Sequence, residues 1–131
     1  GAQVALPGNK VVLANGDGSL GFNGMEIDTM VRHNLPVKMF VGNNSIWGID
    51  WQIQKGIYGR PVWTDLLPTR YDVMAQGLGA YGEHVTKVED LDGAMSRAFA
   101  HDGPVLLNIE IAQIISPVAE AAINRKMGSH G

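Results

Sequence analysis

The chain of 131 residues contains no cysteine. Disulfide frameworks, thiolate nucleophiles and cysteine-ligated zinc are excluded with it. The absence suits a reducing compartment, and a cytoplasmic location is the expectation. No apolar run approaches the roughly 20 residues a membrane-spanning helix needs, and no signal-peptide pattern is visible; no membrane partner is expected. Positive charge is in short supply, with 10 Lys and Arg against 13 Asp and Glu and a formal net charge of −3. The nearest approach to a basic cluster, Arg125-Lys126, suits a helix terminus better than a nucleic-acid footprint. Internal repeats and low-complexity segments are also missing. What remains, 45% hydrophobic and 18% charged, is the composition of one globular core.

Apolar periodicity organises that core. "KVVLANG" (10–16) reads as a buried strand closed by a turn. "LGFNGMEIDTMVRHN" (20–34) carries Phe22, Met25, Ile27, Met30 and Val31 on a broad helical stripe, with Arg32 and His33 in the last turn and Pro36 as the stop. "VKMFVGNN" (37–44) is a second strand, and a crossover of this length implies parallel neighbours. The segment 45–69 holds all three tryptophans and reads as a loop with one helical stretch; such length in a compact domain points to function. A helix over 70–82, a strand "HVTKVE" (84–89), a helix over 90–103 and a strand "PVLLNIEI" (104–111) follow. The alternation predicts an α/β fold, an open parallel sheet flanked by helices. Ser116-Pro117 then has the pattern of an N-cap followed by proline at the first helical position, opening a C-terminal tail helix.

The chemistry concentrates in "NGDGSLGFNG" (15–24). Gly16-x-Gly18-x-x-Gly21 after a strand and before a helix has the spacing of a dinucleotide-binding turn. A nicotinamide-type reading, however, wants an acidic residue after the second strand, and Asn43-Asn44 stand there. The acid sits instead inside the phosphate loop, as Asp17. Bare, it would repel a pyrophosphate by about 1–4 kcal/mol at 4 Å. A divalent cation removes the conflict, since Mg²⁺ commonly takes one or two protein oxygens plus substrate phosphates. Asp17 supplies a carboxylate and Asn44, at the carboxyl end of the next strand, a neutral hard oxygen; the glycines let backbone N–H groups approach the same anion.

"GDG" at 16–18 followed by "NN" at 43–44 resembles the signature of thiamine-diphosphate-dependent enzymes. The resemblance implies Mg²⁺ bound by Asp17, the Asn44 side chain and the backbone carbonyl of Ile46. The cofactor-binding set it implies is Gly16, Gly18, Ser19, Asn44 and Ile46, with Gly18 and Ser19 against the diphosphate. Nearly the whole chain is similar to the diphosphate-binding domain of the acetolactate synthase/pyruvate decarboxylase group. "GFNGMEIDTMVRHNLPV" (21–37), "LLPTRYDVMAQGLGAYG" (66–82) and "VLLNIEI" (105–111) look like oxalyl-CoA decarboxylases and 2-hydroxyacyl-CoA lyases, whereas the spacing Asn43-Asn44-Ser45-Ile46-Trp47-Gly48 is nearer benzaldehyde lyase and acetolactate synthase.

The activity implied is that of a C–C lyase or carboligase on a small acyl-CoA, 2-oxoacid or aldehyde. Enzymes of this group carry the glutamate that activates the cofactor in a separate pyrimidine-binding domain, so no catalytic residue is expected here. The partner implied is that domain, supplied by a neighbouring subunit of a homodimer or homotetramer. Residues 1–111 are expected to form a partial diphosphate- and Mg-binding domain lacking its start, and 112–131 a tail that lids the active site. The closing "GSHG" is read as native or as a cloning remnant.

Trp47 and Trp51, just after the metal site, are expected to wall the substrate pocket, with Trp63 in packing or in that wall. Met25, Met30 and Met39 are read as core. Asp50 and Asp65 are read as solvated loop charges, and Glu26 as support for helix packing. His33 suits a helix dipole, and His84, His101 and His130 have no ligand-like spacing. Within this chemistry the resemblance favours a 2-hydroxyacyl-CoA lyase or oxalyl-CoA decarboxylase type, with an acetolactate synthase or benzaldehyde lyase type as the alternative; the alternatives of other classes are an NAD-binding oxidoreductase and a non-catalytic module that uses the fold for assembly.

Overall fold

The computed structural model describes residues 1–128, so His130 and the rest of the closing tetrapeptide after Gly128 lie outside the described residues. A short helix α1 (Ala2–Ala5) precedes β1 (Val12–Gly16), α2 (Asp17–Asn23), α3 (Glu26–Arg32) and β2 (Lys38–Asn43). Then come α4 (Gly48–Tyr58), α5 (Tyr71–Gly77), β3 (Tyr81–Val85), α6 (Val88–Ala100), β4 (Val105–Glu110) and α7 (Pro117–Gly128). The four strands form one parallel sheet in the order β1-β2-β4-β3. The expected α/β architecture, an open parallel sheet between helices with a terminal helix, is therefore what the chain adopts.

Strand alternation splits the core into two faces. Met39, Val41 and Leu106 point to one side, where Leu20 of α2, Ile27 of α3 and Ala75 of α5 close over them. Val105 and Leu107 point to the other, against Ala94 and Ala98 of α6. The register Gly16↔Gly42 and Asn43↔Glu110 brings the carboxyl ends of β1, β2 and β4 to one edge, where open sheets of this kind bind ligands.

Several boundaries differ from those the sequence suggests. The single helix expected over 20–34 is two. The glycine turn is itself the first turn of α2, which begins at Asp17, and the chain breaks at Gly24-Met25 before α3. Gly24 packs close to α5, since a Cβ there would lie 3.3 Å from the Met74 methyl. Met25 falls at this elbow and is 66% exposed, not core; Met39 is buried and Met30 partly so. The helix expected over 70–82 ends at Gly77, because Gly79 turns the chain at φ +91° and Tyr81 then pairs with Val105. That pairing moves the strand expected at 84–89 back to 81–85, and α6 starts at Val88. Lys38, polar at the start of an apolar strand, is buried; its ammonium donates to the carbonyls of His101 at 2.6 Å and Gly103 at 2.7 Å. Burial pushes that amine below its ordinary range.

The tail begins as its sequence predicts. Ser116 Oγ accepts the Ala119 N–H at 3.1 Å, and Pro117 opens α7. Helix α7 lies closely on α4 at Gly56, where an added Cβ would stand 2.5 Å from Ile123 Cδ1 and force that side chain to move. A tighter approach occurs at the start of β3, where a Cβ on Gly82 would overlap the carbonyl oxygen of Asp72. Gly82→Ala is expected to destabilise the fold by about 1–3 kcal/mol, the usual cost of overpacking, read as a lowered urea midpoint at unchanged slope.

Candidate metal and anion site

A cleft of about 370 Å³ opens at the carboxyl ends of β1 and β2. The start of α2 gives it Asp17, Gly18 and Ser19; the chain after β2 gives it Asn44, Ile46 and Trp47. The sheet register therefore brings together residues far apart in sequence, and every expected metal- and cofactor-binding position, Gly16 included, lines one cavity.

Asp17 is the first residue of α2 and only 2% exposed. Its Oδ1 accepts the Gly18 N–H at 3.0 Å, and its Oδ2 accepts the Ser45 N–H at 2.8 Å. Among the described residues no ion pair includes it. A buried carboxylate held by neutral donors alone is costly unless a cation completes it. Ser45 takes the left-handed conformation, φ +57°, and this bends the chain sharply after β2. The bend turns Asn44 back so that its Oδ1 accepts the Ile46 N–H at 3.3 Å, an Asx-type turn with one lone pair of the oxygen left over. Ile46 forms a lone antiparallel bridge with Asp65. That bridge uses the Ser45 carbonyl, bonded by the Leu66 N–H at 2.9 Å, and the Trp47 N–H, bonded to the Thr64 carbonyl at 2.8 Å. The Ile46 carbonyl takes no part in it.

One carboxylate, one amide oxygen and one backbone carbonyl form a hard, oxygen-only donor set that suits Mg²⁺ better than a softer metal. The described residues contain no group of three His, Asp or Glu that could hold a metal. The Gly18 N–H is taken by Asp17 Oδ1; the next N–H groups of α2, Ser19 among them, start a helix and so lack intrahelical acceptors, which suits them to an anion. Gly18 must stay small, since its Cβ would meet the Trp47 ring at 3.1 Å.

The tryptophans separate. Trp47 lines the cleft, with its ring edge-on to Phe22 at 5.2 Å. Trp51 is not brought to the cleft. It donates to Asp65 Oδ1 at 2.9 Å, carries the Lys55 ammonium 4.5 Å above its ring, and lines a neighbouring cavity beside Gln113 and Ile123. Trp63 stands 96% exposed, neither packed nor in the wall. Asp50 and Asp65 are exposed, as expected, but Asp50 sits in the first turn of α4 at the border of the cleft, and Asp65 accepts the Trp51 N–H. Glu26 is exposed in the first turn of α3, where its charge suits the helix dipole and supports no packing. His33 caps the end of α3, His84 pairs with Glu110 at 3.0 Å, and His101 lies tilted against Tyr81.

Sequence reasoning missed Gln52. Its buried amide donates to the Ile114 carbonyl and accepts the Ser116 N–H at 2.8 Å, tying the tail to α4, and all three residues border the cleft. The available signal was one amide among "IDWQI", four residues after the helix start.

The sequence profile of the family "Thiamine pyrophosphate enzyme, C-terminal TPP binding domain" matches residues 1–109. A probable acetolactate synthase of Mycobacterium bovis is 45% identical over 109 residues, which are 82% of this chain and 20% of that protein. The oxalyl-CoA decarboxylase of Escherichia coli K12 is 36% identical over 121 residues, 91% of this chain and 20% of that protein. The 2-hydroxyacyl-CoA lyase of rice, Oryza sativa subsp. japonica, is 35% identical over 130 residues, 95% of this chain and 22% of that protein. The chain spans about a fifth of the length of these relatives.

Removing the Gln52 amide strips two hydrogen bonds from the tail. In Gln52→Ala, amide hydrogen exchange of residues 112–128 is expected to speed by roughly tenfold or more, the equivalent of about 1.4 kcal/mol, while the β2 and β4 amides keep their protection.

Proposed function

Because the chain belongs to the thiamine pyrophosphate enzymes, as their C-terminal TPP-binding domain, we propose that the cleft between α2 and the Asn44–Ile46 turn holds the cofactor diphosphate through Mg²⁺. The observation that carries this reading is Asp17, a buried carboxylate with neutral donors only, set at a helix start beside Asn44. Asp17, Asn44 Oδ1 and the Ile46 carbonyl would hold the ion, and the Ser19 N–H would meet phosphate oxygens, with Gly18, whose own N–H is held by Asp17 Oδ1, leaving room for them to approach. Bound there, the thiazolium would supply an electron sink for breaking or making a C–C bond next to a carbonyl. Trp47 would shield the diphosphate end from water, its ring already lying over Gly18.

Within the family, the finer assignment we favour is a 2-hydroxyacyl-CoA lyase or oxalyl-CoA decarboxylase. The alignment to the rice lyase supports it, because 95% of this chain must include most of the tail. Tethered by Gln52, that tail would act as a lid, with Ile114 and Ser116 at the cleft border. The second reading, an acetolactate synthase, is favoured by the 45% identity to the mycobacterial protein. In either case the activating glutamate would come from a pyrimidine-binding domain of a neighbouring subunit in a cytoplasmic homodimer or homotetramer. The exposed Phe22 and Met25 at the α2–α3 elbow offer apolar surface for that contact.

Calorimetric titration of thiamine diphosphate into the intact enzyme tests the site. Binding is expected with Mg²⁺, to vanish with EDTA, and to weaken at least tenfold in Asp17→Ala. Binding indifferent to both metal and Asp17 would overturn the reading. Turnover of 2-hydroxyacyl-CoA or oxalyl-CoA rather than pyruvate by the same preparation would separate the lyase assignment from acetolactate synthesis.

A further inference from the structure

Behind the Asn44–Ile46 turn lies a buried polar network that the proposed cofactor chemistry does not touch. Asn108 is fully buried on β4, directly after the apolar Val105, Leu106 and Leu107. All of its amide is used. Its Oδ1 accepts the Asn43 side-chain N–H at 3.1 Å, and its Nδ2 donates to the Thr69 carbonyl and to Asp72 Oδ1, each at 3.3 Å. Asp72, 1% exposed, is gripped in turn by the Arg70 guanidinium, Nε to Oδ1 at 2.9 Å and Nη2 to Oδ2 at 2.6 Å. That guanidinium, ahead of the amide of Asn108, holds the Asp72 carboxyl below the ordinary carboxylate range.

The polarity of each amide is dictated by the one before it. An ionised Asp72 only accepts, so Asn108 must turn its N–H to Asp72 and its oxygen to Asn43. Asn43 must then give its N–H to Asn108 and to the Thr69 carbonyl, the latter at 3.0 Å. Its own oxygen is left facing the turn, where it accepts the Ser45 N–H at 3.2 Å. That same N–H reaches Asp17 Oδ2. The chain of bonds thus runs from an exposed arginine, through three buried side chains, to the carboxylate of the cleft.

We propose that Asn108 is a positioning residue for the metal site: fixed by Asp72, it locks the Asn43 amide with its oxygen toward Ser45, and so sets where Asn44 and Ile46 stand relative to Asp17. This rests on the reading of the cleft as the Mg²⁺ site. A purely structural Asn108 would fill space and satisfy bonds. A positioning Asn108 also controls metal affinity, and controls it through Asn43.

The test is Mg²⁺ titration of the metal-stripped intact enzyme in a fixed excess of thiamine diphosphate, in wild type, Asn108→Leu, Asn43→Leu, the double variant and Asp17→Ala, with urea unfolding in parallel. Each single Asn variant is expected to weaken Mg²⁺ binding by roughly tenfold or more, the scale of outer-sphere partners of metal ligands, and the double variant to be no worse than the weaker single. Multiplying losses in the double variant would overturn the proposal. So would a loss below about threefold in Asn108→Leu while Asp17→Ala loses the metal; the cleft reading would then survive alone. Wild-type affinity in Asp17→Ala would sink both. If Asn108→Leu does not fold, Asp72→Asn decides by the same threefold line, since it keeps an acceptor for Asn108 but frees the polarity of the relay.

Discussion

The Ser45 N–H is the hinge of this molecule. It points at two acceptors at once, Asp17 Oδ2 at 2.8 Å and Asn43 Oδ1 at 3.2 Å. One acceptor belongs to the helix after β1, the other to the end of β2. A single backbone donor therefore ties the two halves of the cleft, at the residue whose φ of +57° bends the chain that follows. Left-handed backbone at a non-glycine residue is costly, and such residues persist where the surroundings over-determine them. Here the surroundings are the bridge to Asp65 on one side and the buried amide network on the other. The parallel sheet fixes the distance between β1 and β2; the Ser45 bend decides what stands in the gap.

Charge explains why the gap is built with such care. An acid at a helix start is electrostatically favourable, but a buried one must still find partners. Asp17 finds two neutral N–H groups and leaves the rest of its acceptor capacity toward the cleft. Asp72 also carries a buried carboxylate, but Arg70 neutralises it directly. The two acids lie at opposite ends of one hydrogen-bonded chain, one already matched by a cation from the protein and the other presented to the cavity. This contrast, more than the glycine spacing, distinguishes the site from a bare phosphate loop.

Much of this was legible in the sequence, and the reasons are local. Alternating apolar runs fixed the α/β class because buried parallel strands have little freedom in composition. The anomaly of Asp17 between two glycines, with Asn43-Asn44 after the next strand, located the cleft because both lie at strand ends that a parallel register must align. The misjudged boundaries share one cause. Helical periodicity continued through Gly24 and Gly79, but at Gly24-Met25 the backbone bonds shift to the i→i+3 pattern and at Gly79 φ +91° turns the chain, and no apolar pattern encodes either. Gln52, Asn108 and Lys38 were invisible as anything but isolated polar residues in apolar segments. Their partners lie 36 to 65 residues away, backbone groups for Lys38 and Gln52, and for Asn108 the Thr69 carbonyl with the side chains of Asn43 and Asp72, and sequence carries no mark of so distant a partner. The tryptophans were harder still: both follow the Asn44–Ile46 turn closely in sequence, yet Trp47 lines the cleft and Trp51 stands one helical turn beyond it.

The Gln52 amide has one further consequence. It reads the tail at two points, a carbonyl at Ile114 and an N–H at Ser116. A donor and an acceptor spaced in this way recognise direction as well as position: a segment reversed or slipped by one residue would set oxygen against oxygen and hydrogen against hydrogen. Gly56 imposes the same precision farther along, where Ile123 alone occupies the notch it leaves in α4. Between β4 and α7 the chain is therefore a strap of fixed length, buckled at both ends. An insertion between Ile114 and Ser116 would break the spacing that Gln52 reads, so in that stretch length is constrained as well as composition.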